Sequence, residues 1–332
     1  MKHTARVWTF VFAAALPFVV ACDFDFDPMF NMASAEASFE RTLSVSGSID
    51  VEVSTGSGNI SVRPGNAGAV RVVGRIKARD DSGQGAEEKA RYIAANPPIE
   101  QTGGRIRIGR IDKEEYQRNV SISYEIETPS DTRLEATSGS GNLDVEGLRG
   151  ALEVSTGSGN IKLDSIGDQA HAETGSGNID AVSMGRGLSA STGSGSIRAS
   201  EVAGPVKLET GSGDISVEQV AEGDAELETG SGGITASGIR GGLRAGTGSG
   251  NVKLSGAPTR PWEADTGSGG LHVQLSGDVA FDLDAHADSG SISVRQTLSS
   301  TEAVTKHEVR GKVRGGGVLV KLRSNSGDIT IE

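Results

Sequence analysis

Aromatic side chains are scarce in this sequence. Of 332 residues 13 are aromatic, and seven of them (Trp8, Phe10, Phe12, Phe18, Phe24, Phe26 and Phe30) crowd into the first 30 positions. The rest of the chain has only Phe39, Tyr92, Tyr116, Tyr124, Trp262 and Phe281, too few large side chains for a conventional globular core. Cysteine occurs once, at Cys22, so no intramolecular disulfide can hold the fold together. There is no basic excess either. Thirty-two Lys and Arg stand against 44 Asp and Glu, a balance of −12, which argues against nucleic acid or an anionic lipid surface as a direct partner. Glycine is abundant, at 48 residues, about twice the usual ~7%, yet it lacks the strict three-residue period of a collagen helix.

The amino end reads as an export signal. Lys2 and Arg6 precede the apolar run WTFVFAAALPFVVA, which stops at Cys22. The run is too short to cross a hydrocarbon core of about 30 Å comfortably, and its layout is that of a secretory leader. Val19, Val20, Ala21 and Cys22 resemble the lipobox of bacterial lipoproteins. The resemblance implies cleavage before Cys22, acylation of its thiol and amino group, and a membrane-anchored lipoprotein of the cell envelope facing the periplasm or exterior. Residues 22–38, with Asp23, Asp25, Asp27 and Pro28, read as a tether that spans about 50 Å when extended.

The dominant signal is a repeat. TGSG or a close relative, a small polar residue, then Ile, Leu or Val recurs, ending at Ile60, Leu143, Ile161, Ile179, Ile197, Ile215, Ile234, Val252, Leu271, Ile292 and Ile329. Between Leu143 and Ile292 the steps are 18, 18, 18, 18, 19, 18, 19 and 21 residues. Within a period, apolar and small positions fall at offsets of two, as in Ile161, Leu163, Ile166, Ala170 and Ala172, and in Ile215, Val217, Val220, Ala225 and Leu227. That spacing gives two half-buried strands per period. Ordering 18 residues costs roughly 27 kcal/mol at about 1.5 each, more than one such unit recovers alone. The units must therefore stack, giving an all-β, single-stranded β-solenoid of about 18-residue coils with a thin interior.

The motif residues have structural readings. Glycines such as Gly157 and Gly159 suggest positive φ at a repeated sharp turn. The threonines from Thr156 to Thr266 would form a row whose hydroxyls satisfy one another or the backbone, and Asn142, Asn160, Asn178 and Asn251, with Asp214, would form a side-chain ladder. A phosphate loop is excluded by the absence of GxxxxGK[ST] and of a following helix.

Residues 81–96 carry helix formers and end at Pro97 and Pro98, which predicts a short helix burying Tyr92 and Ile93 and covering strand edges at the amino end. Residues 103–126 predict two strands around a polar loop at 111–118. One degenerate coil is expected over 305–320, with RSNSGDITI closing the chain as an edge strand. The resulting division is 1–21 signal peptide, 22–38 tether, 39–136 amino-terminal β region with the helix, and 137–332 regular solenoid.

The SGSGxI strands and the closing GKVRGGGVLVKLRSNSGDITI resemble the bacterial adhesin-type domains of unknown function known as beta-strand-repeat proteins. The resemblance spans roughly 39–332. It implies a right-handed β-solenoid, exported or tethered to a membrane, and brings no catalytic residues or cofactor with it.

Candidate chemistry is thin. Glu209 and Glu228 fall on consecutive coils just before the threonines, near enough to serve as a general acid and base. The competing reading is a solvated acidic face. His171, His272, His286 and His307 are out of phase, so no metal site is expected. Trp262 and Phe281 fall where the period lengthens, as fillers of widened coils or as a sugar-stacking platform. The favoured expectation is a non-catalytic scaffold or adhesive surface that meets an envelope protein or polysaccharide. The alternatives are a carbohydrate-active solenoid, which would need Glu209 and Glu228 at the base of a cleft beside Trp262, and a component of envelope-stress signalling.

Overall fold

The computed structural model describes residues 24–26, 33–80, 83–276 and 278–332. Cys22 and the leader lie outside the described residues. The repeat folds as expected, into two facing sheets of 15 strands each. One coil runs Ile161–Ile166 in the first sheet, turns, and runs Ala170–Thr174 in the second. The glycine motif then returns the chain to the first sheet one strand further along.

The registers are one to one and parallel. Leu143 pairs with Ile161, Ile161 with Ile179, Ile179 with Ile197, and Ile197 with Ile215. The motif residues from Ile60 to Leu271, together with Ile329, are each at most 1% exposed, forming one apolar column through the rod. Ala172, Ala181 and Ala190 are equally buried and keep the two sheets close. Fifteen strands at about 4.8 Å give a length of roughly 65 Å.

One interior expectation fails for a local reason. In several coils the residue four after the motif Ile or Leu lies in the left-handed region, as at Gly147 (φ 69°), Ser165 (57°), Ser183 (58°), Glu201 (55°) and Gly238 (70°). This bulge turns the following residue inward, so Ile166, Met184 and Val202 are buried. The coil starting at Ile215 lacks it, and the pairing shifts between Ala199 and Val202. Gln219 therefore faces inward at 3% exposure, while Val220 is 49% exposed.

Both ends depart from sequence order. Val318–Ser324 lies between Trp262–Thr266 and Phe281–Ala287, and Ile329–Ile331 lies between Leu271–Leu275 and Ile292–Val294. The last coil in sequence is thus the penultimate one in space, not an edge. The expected degenerate coil over 305–320 is instead an antiparallel extension of the second sheet, with Glu308–Val313 between Leu298–Val304 and Phe281–Ala287. The amino end mirrors this arrangement. Asp50–Thr55 and Ile60–Pro64 are inserted between the coil made of Arg105–Ile108 and Val120–Thr128 and the coil that follows.

Beyond Val120–Thr128 the first sheet continues antiparallel through Ala69–Asp80 and Ala33–Ser44. Residues 33–38, read from sequence as tether, belong to this strand, with Ala33, Ala35 and Ala37 buried. The helix Gly83–Ala95 packs on the face of these two strands rather than over an edge. It adds Ala86, Ala90 and Ile93 to the continuous core, while Tyr92 is only half-buried, against Tyr116.

Candidate functional site

The glycine turn forms one long margin of the rod, and its chemistry is directed inward. The seven motif threonines, Thr156, Thr174, Thr192, Thr210, Thr229, Thr247 and Thr266, are 4 to 8% exposed. Thr192 Oγ1 donates to the Gly177 carbonyl of the previous coil at 2.9 Å and accepts from the Gly195 N–H of its own coil at 3.2 Å. Thr156, Thr174, Thr210, Thr229, Thr247 and Thr266 repeat this staple. The row satisfies backbone groups across coils, and its hydroxyls are engaged rather than offered to a ligand. Ser138 and Ser324 take the same role at the two ends.

The glycines are there for space and not for handedness. None of those flanking the motif serines has a φ in the left-handed range between Gly139 and Gly269. A Cβ at Gly159 would lie 1.9 Å from the Gly141 carbonyl oxygen, and one at Gly177 1.8 Å from that of Gly159. Stacked turns approach so closely that only hydrogen fits. The asparagine ladder is present, each side chain accepting from the next coil's backbone: Asn142 Oδ1 from Asn160 N–H and Asn160 Oδ1 from Asn178 N–H, both at 2.8 Å. Asp214 continues it to Gly233, and Asn251 to Gly270.

Outward residues of the second sheet form straight columns flanking two shallow grooves. One, of about 920 Å³, follows the threonine margin across seven coils, with Glu173, Ser191, Glu209 and Glu228 along its wall. The other, of about 1000 Å³, crosses the same sheet past Arg133, His171, Pro205, Lys207, Arg244 and Pro261.

Glu209 and Glu228 are register partners, but no cleft surrounds them. Glu209 pairs with Lys207 Nζ at 2.8 Å and Glu228 with Arg244 Nε at 3.7 Å, with 42% and 49% of the carboxylate side chains exposed. The hydrogen bond that Lys207 donates to Glu209, helped by the charges of Glu209 and Glu226, holds the Lys207 ammonium above its usual range. Trp262 does not stand beside these acids. It is fully buried, with Nε1 donating to the Gly241 carbonyl at 2.9 Å, and Phe281 is buried likewise. Both are fillers of the widened coils.

The histidines stay apart. His171 bonds Glu173 at 3.0 Å and His286 bonds Asp288 at 2.9 Å, and among the described residues no three His, Cys, Asp or Glu side chains converge as a metal site. Two carboxyls further along are perturbed in opposite directions. The hydrogen bond from Lys321 keeps Glu263 below the ordinary carboxylate range, whereas burial, followed by the neighbouring Glu263 charge, raises Asp265. Sequence reasoning missed the second groove, because the column through it, His171, Ser189, Lys207, Glu226 and Arg244, lines up only once the register is known.

Two interlocked parallel sheets with engaged hydroxyls and open charged grooves define a repeat β-scaffold. Residues 172–332 match the family model described as Toastrack DUF4097. No curated protein matches the chain. Among solved structures, it is similar to a Clostridium sporogenes protein provisionally described as a cell adhesion protein, at 10% identity over 89% of this chain and 98% of that one, with a TM-score of 0.25. A Bacteroides fragilis protein provisionally described as an adhesin gives 12% identity over 89% and 97%, with a TM-score of 0.27. TM-scores of this size bear on neither fold nor function. No helix among the described residues is long and apolar enough to cross a membrane.

Proposed function

We propose that this chain is a non-catalytic, lipid-anchored protein of the bacterial cell envelope whose rod presents an elongated surface to an envelope protein or polysaccharide. The observation that carries the reading is the unbroken register of the second sheet, which lays outward side chains in straight columns beside two grooves that each cross several coils. Such a surface suits an extended partner. Glu209 and Glu228, exposed and ion-paired in an open groove, lack the enclosure that general acid and base catalysis uses. Anchoring is proposed at Cys22. Phe24–Phe26 pairs with Ala33–Ala35, so acyl chains on Cys22 would hold the amino end of the rod close to the bilayer.

The test has two parts. Full-length protein is expected in the membrane fraction and Cys22→Ala in the soluble fraction. Acylated protein incubated with native envelopes should retain a partner that Ser191→Trp, which fills the threonine-margin groove, releases. Soluble sugar fragments produced by the wild type and abolished in Glu209→Gln would instead make the chain a carbohydrate-active enzyme.

A further inference from the structure

Residues 318–332 form one complete coil, and both of its neighbours come earlier in the chain. Val318–Ser324 pairs with Trp262–Thr266 on one side and Phe281–Ala287 on the other, while Ile329–Ile331 pairs with Leu271–Leu275 and Ile292–Val294. Among the described residues no strand of 281–313 pairs with a strand of 252–275. The inserted coil therefore bridges the rod and its carboxyl-terminal cap, and the coils beside it are the walls of a slot.

What holds the coil in the slot does not depend on which chain supplies it. Val320, Leu322, Ile329 and Ile331 are fully buried. Ser324 donates to the Gly269 carbonyl at 3.0 Å, Asp328 accepts from the Ser291 N–H at 2.8 Å, and Lys321 is ion-paired with Glu263. All three partners belong to the slot, so the coil of another copy would make the same contacts. Only the connection, residues 314–317, ties the coil to its own slot.

That connection is short and strained. Val313 and Val318 pair with Phe281 from opposite sides, so the chain crosses the end of that strand, a distance of two strand spacings or about 9.6 Å. It does so with three consecutive residues in the left-handed region, Arg314 (φ 55°), Gly315 (90°) and Gly316 (88°). The glycines adopt this freely, but at Arg314 the Cβ opposes it. Running straight on into a neighbouring copy removes the strain, and short strained hinges favour exchange of the segment they carry.

We propose that the slot also accepts residues 318–332 of a second copy, so that two chains exchange their last coils in a reciprocal dimer. The exchange needs no contact beyond those of the single chain, and it does not rest on the scaffold reading. Because the connection keeps the chain's own coil at high local concentration, exchange grows with protein concentration.

Two full-length Cys22→Ala chains, one carrying Asp265→Cys and the other Arg323→Cys, test it when unfolded together in urea and refolded at increasing concentration. The two positions are register partners at the slot wall. Mild oxidation should join the two chains at these positions, in a yield that rises with concentration, whereas Ser189→Cys mixed with Arg323→Cys should give only a trace. Deleting residues 315–317 from the full chain gives a second reading. The two peptide steps left between Val313 and Val318 reach at most about 7.6 Å, less than the crossing needs, so a chain can no longer fill its own slot. Light scattering should then shift from the monomer mass to twice that mass, with the amides of Val320 and Leu322 still protected from exchange. A monomeric deletion variant, or no more interchain disulfide from the slot pair than from the control pair, would overturn the proposal.

Discussion

At a single glycine, stacking leaves room for one hydrogen atom. Gly177→Ala puts a methyl group 1.8 Å from the Gly159 carbonyl oxygen and should cost at least about 3 kcal/mol, near the upper end for single substitutions. Gly246→Ala, where a Cβ meets nothing within 4 Å, should be neutral or stabilising by about 0.5–1 kcal/mol. Urea midpoints of the two variants check the pair. If glycine served chain reversal through positive φ, as the sequence suggested, the contrast would not follow open space. Thr192→Val leaves the Gly177 carbonyl and Gly195 N–H unpaired and should cost about 1–3 kcal/mol, while Thr192→Ser should be mild because Ser138 and Ser324 already make the same staple. The ladder can also be extended. Gly233 has no side chain to continue the row, and a Cβ there would come no closer than 3.3 Å, to the Asn251 carbonyl oxygen; Gly233→Asn should raise the melting temperature. The identity of these rows was legible in the sequence because period and residue type coincide. Their bonding was not, because the distance between turns is a property of the stack.

Strands and their pairings carry the next level. Ile161, Leu163 and Ile166 were readable as interior from offsets alone, whereas Val220 was misplaced because the left-handed bulge at Ser165, Ser183 and Glu201 has no residue signature and is absent from the coil that starts at Ile215. At the carboxyl end, Asp328 Oδ1 accepts from both the N–H and the hydroxyl of Ser291 at 2.8 Å. These bonds, the backbone one first, hold the Asp328 carboxyl below its ordinary range. A carboxylate favoured by folding contributes stability above its unfolded value of about 3.9, and that contribution is lost as pH falls through the lower folded value. Amide exchange in Ile292–Val294, taken relative to Ile161–Ile166, should therefore accelerate on acidification through that window, and Asp328→Asn should remove the pH dependence. An unchanged ratio in the wild type would show that this contact does not secure the terminal coil.

For the whole molecule, the solenoid was legible and its ends were not. Eight evenly spaced periods require stacking, but a last segment can complete the stack from outside or from within, and residue spacing is the same either way. The structure places Val318–Ser324 inside, paired on both sides, and repeats the device at the amino end with Asp50–Thr55. Each end of the rod is thereby locked by a segment distant in sequence from one neighbour, which protects terminal coils that would otherwise fray. The interlock is tested most directly by paired cysteines in a Cys22→Ala chain, which has no other thiol. Asp265 pairs with Arg323 and Arg323 with His286 in adjacent parallel strands, about 4.8 Å apart per step, within disulfide reach, while two steps are beyond it. Asp265→Cys with Arg323→Cys should close a disulfide under mild oxidation, and Asp265→Cys with His286→Cys should not; ready closure of the second pair and failure of the first would contradict the interlocked stack.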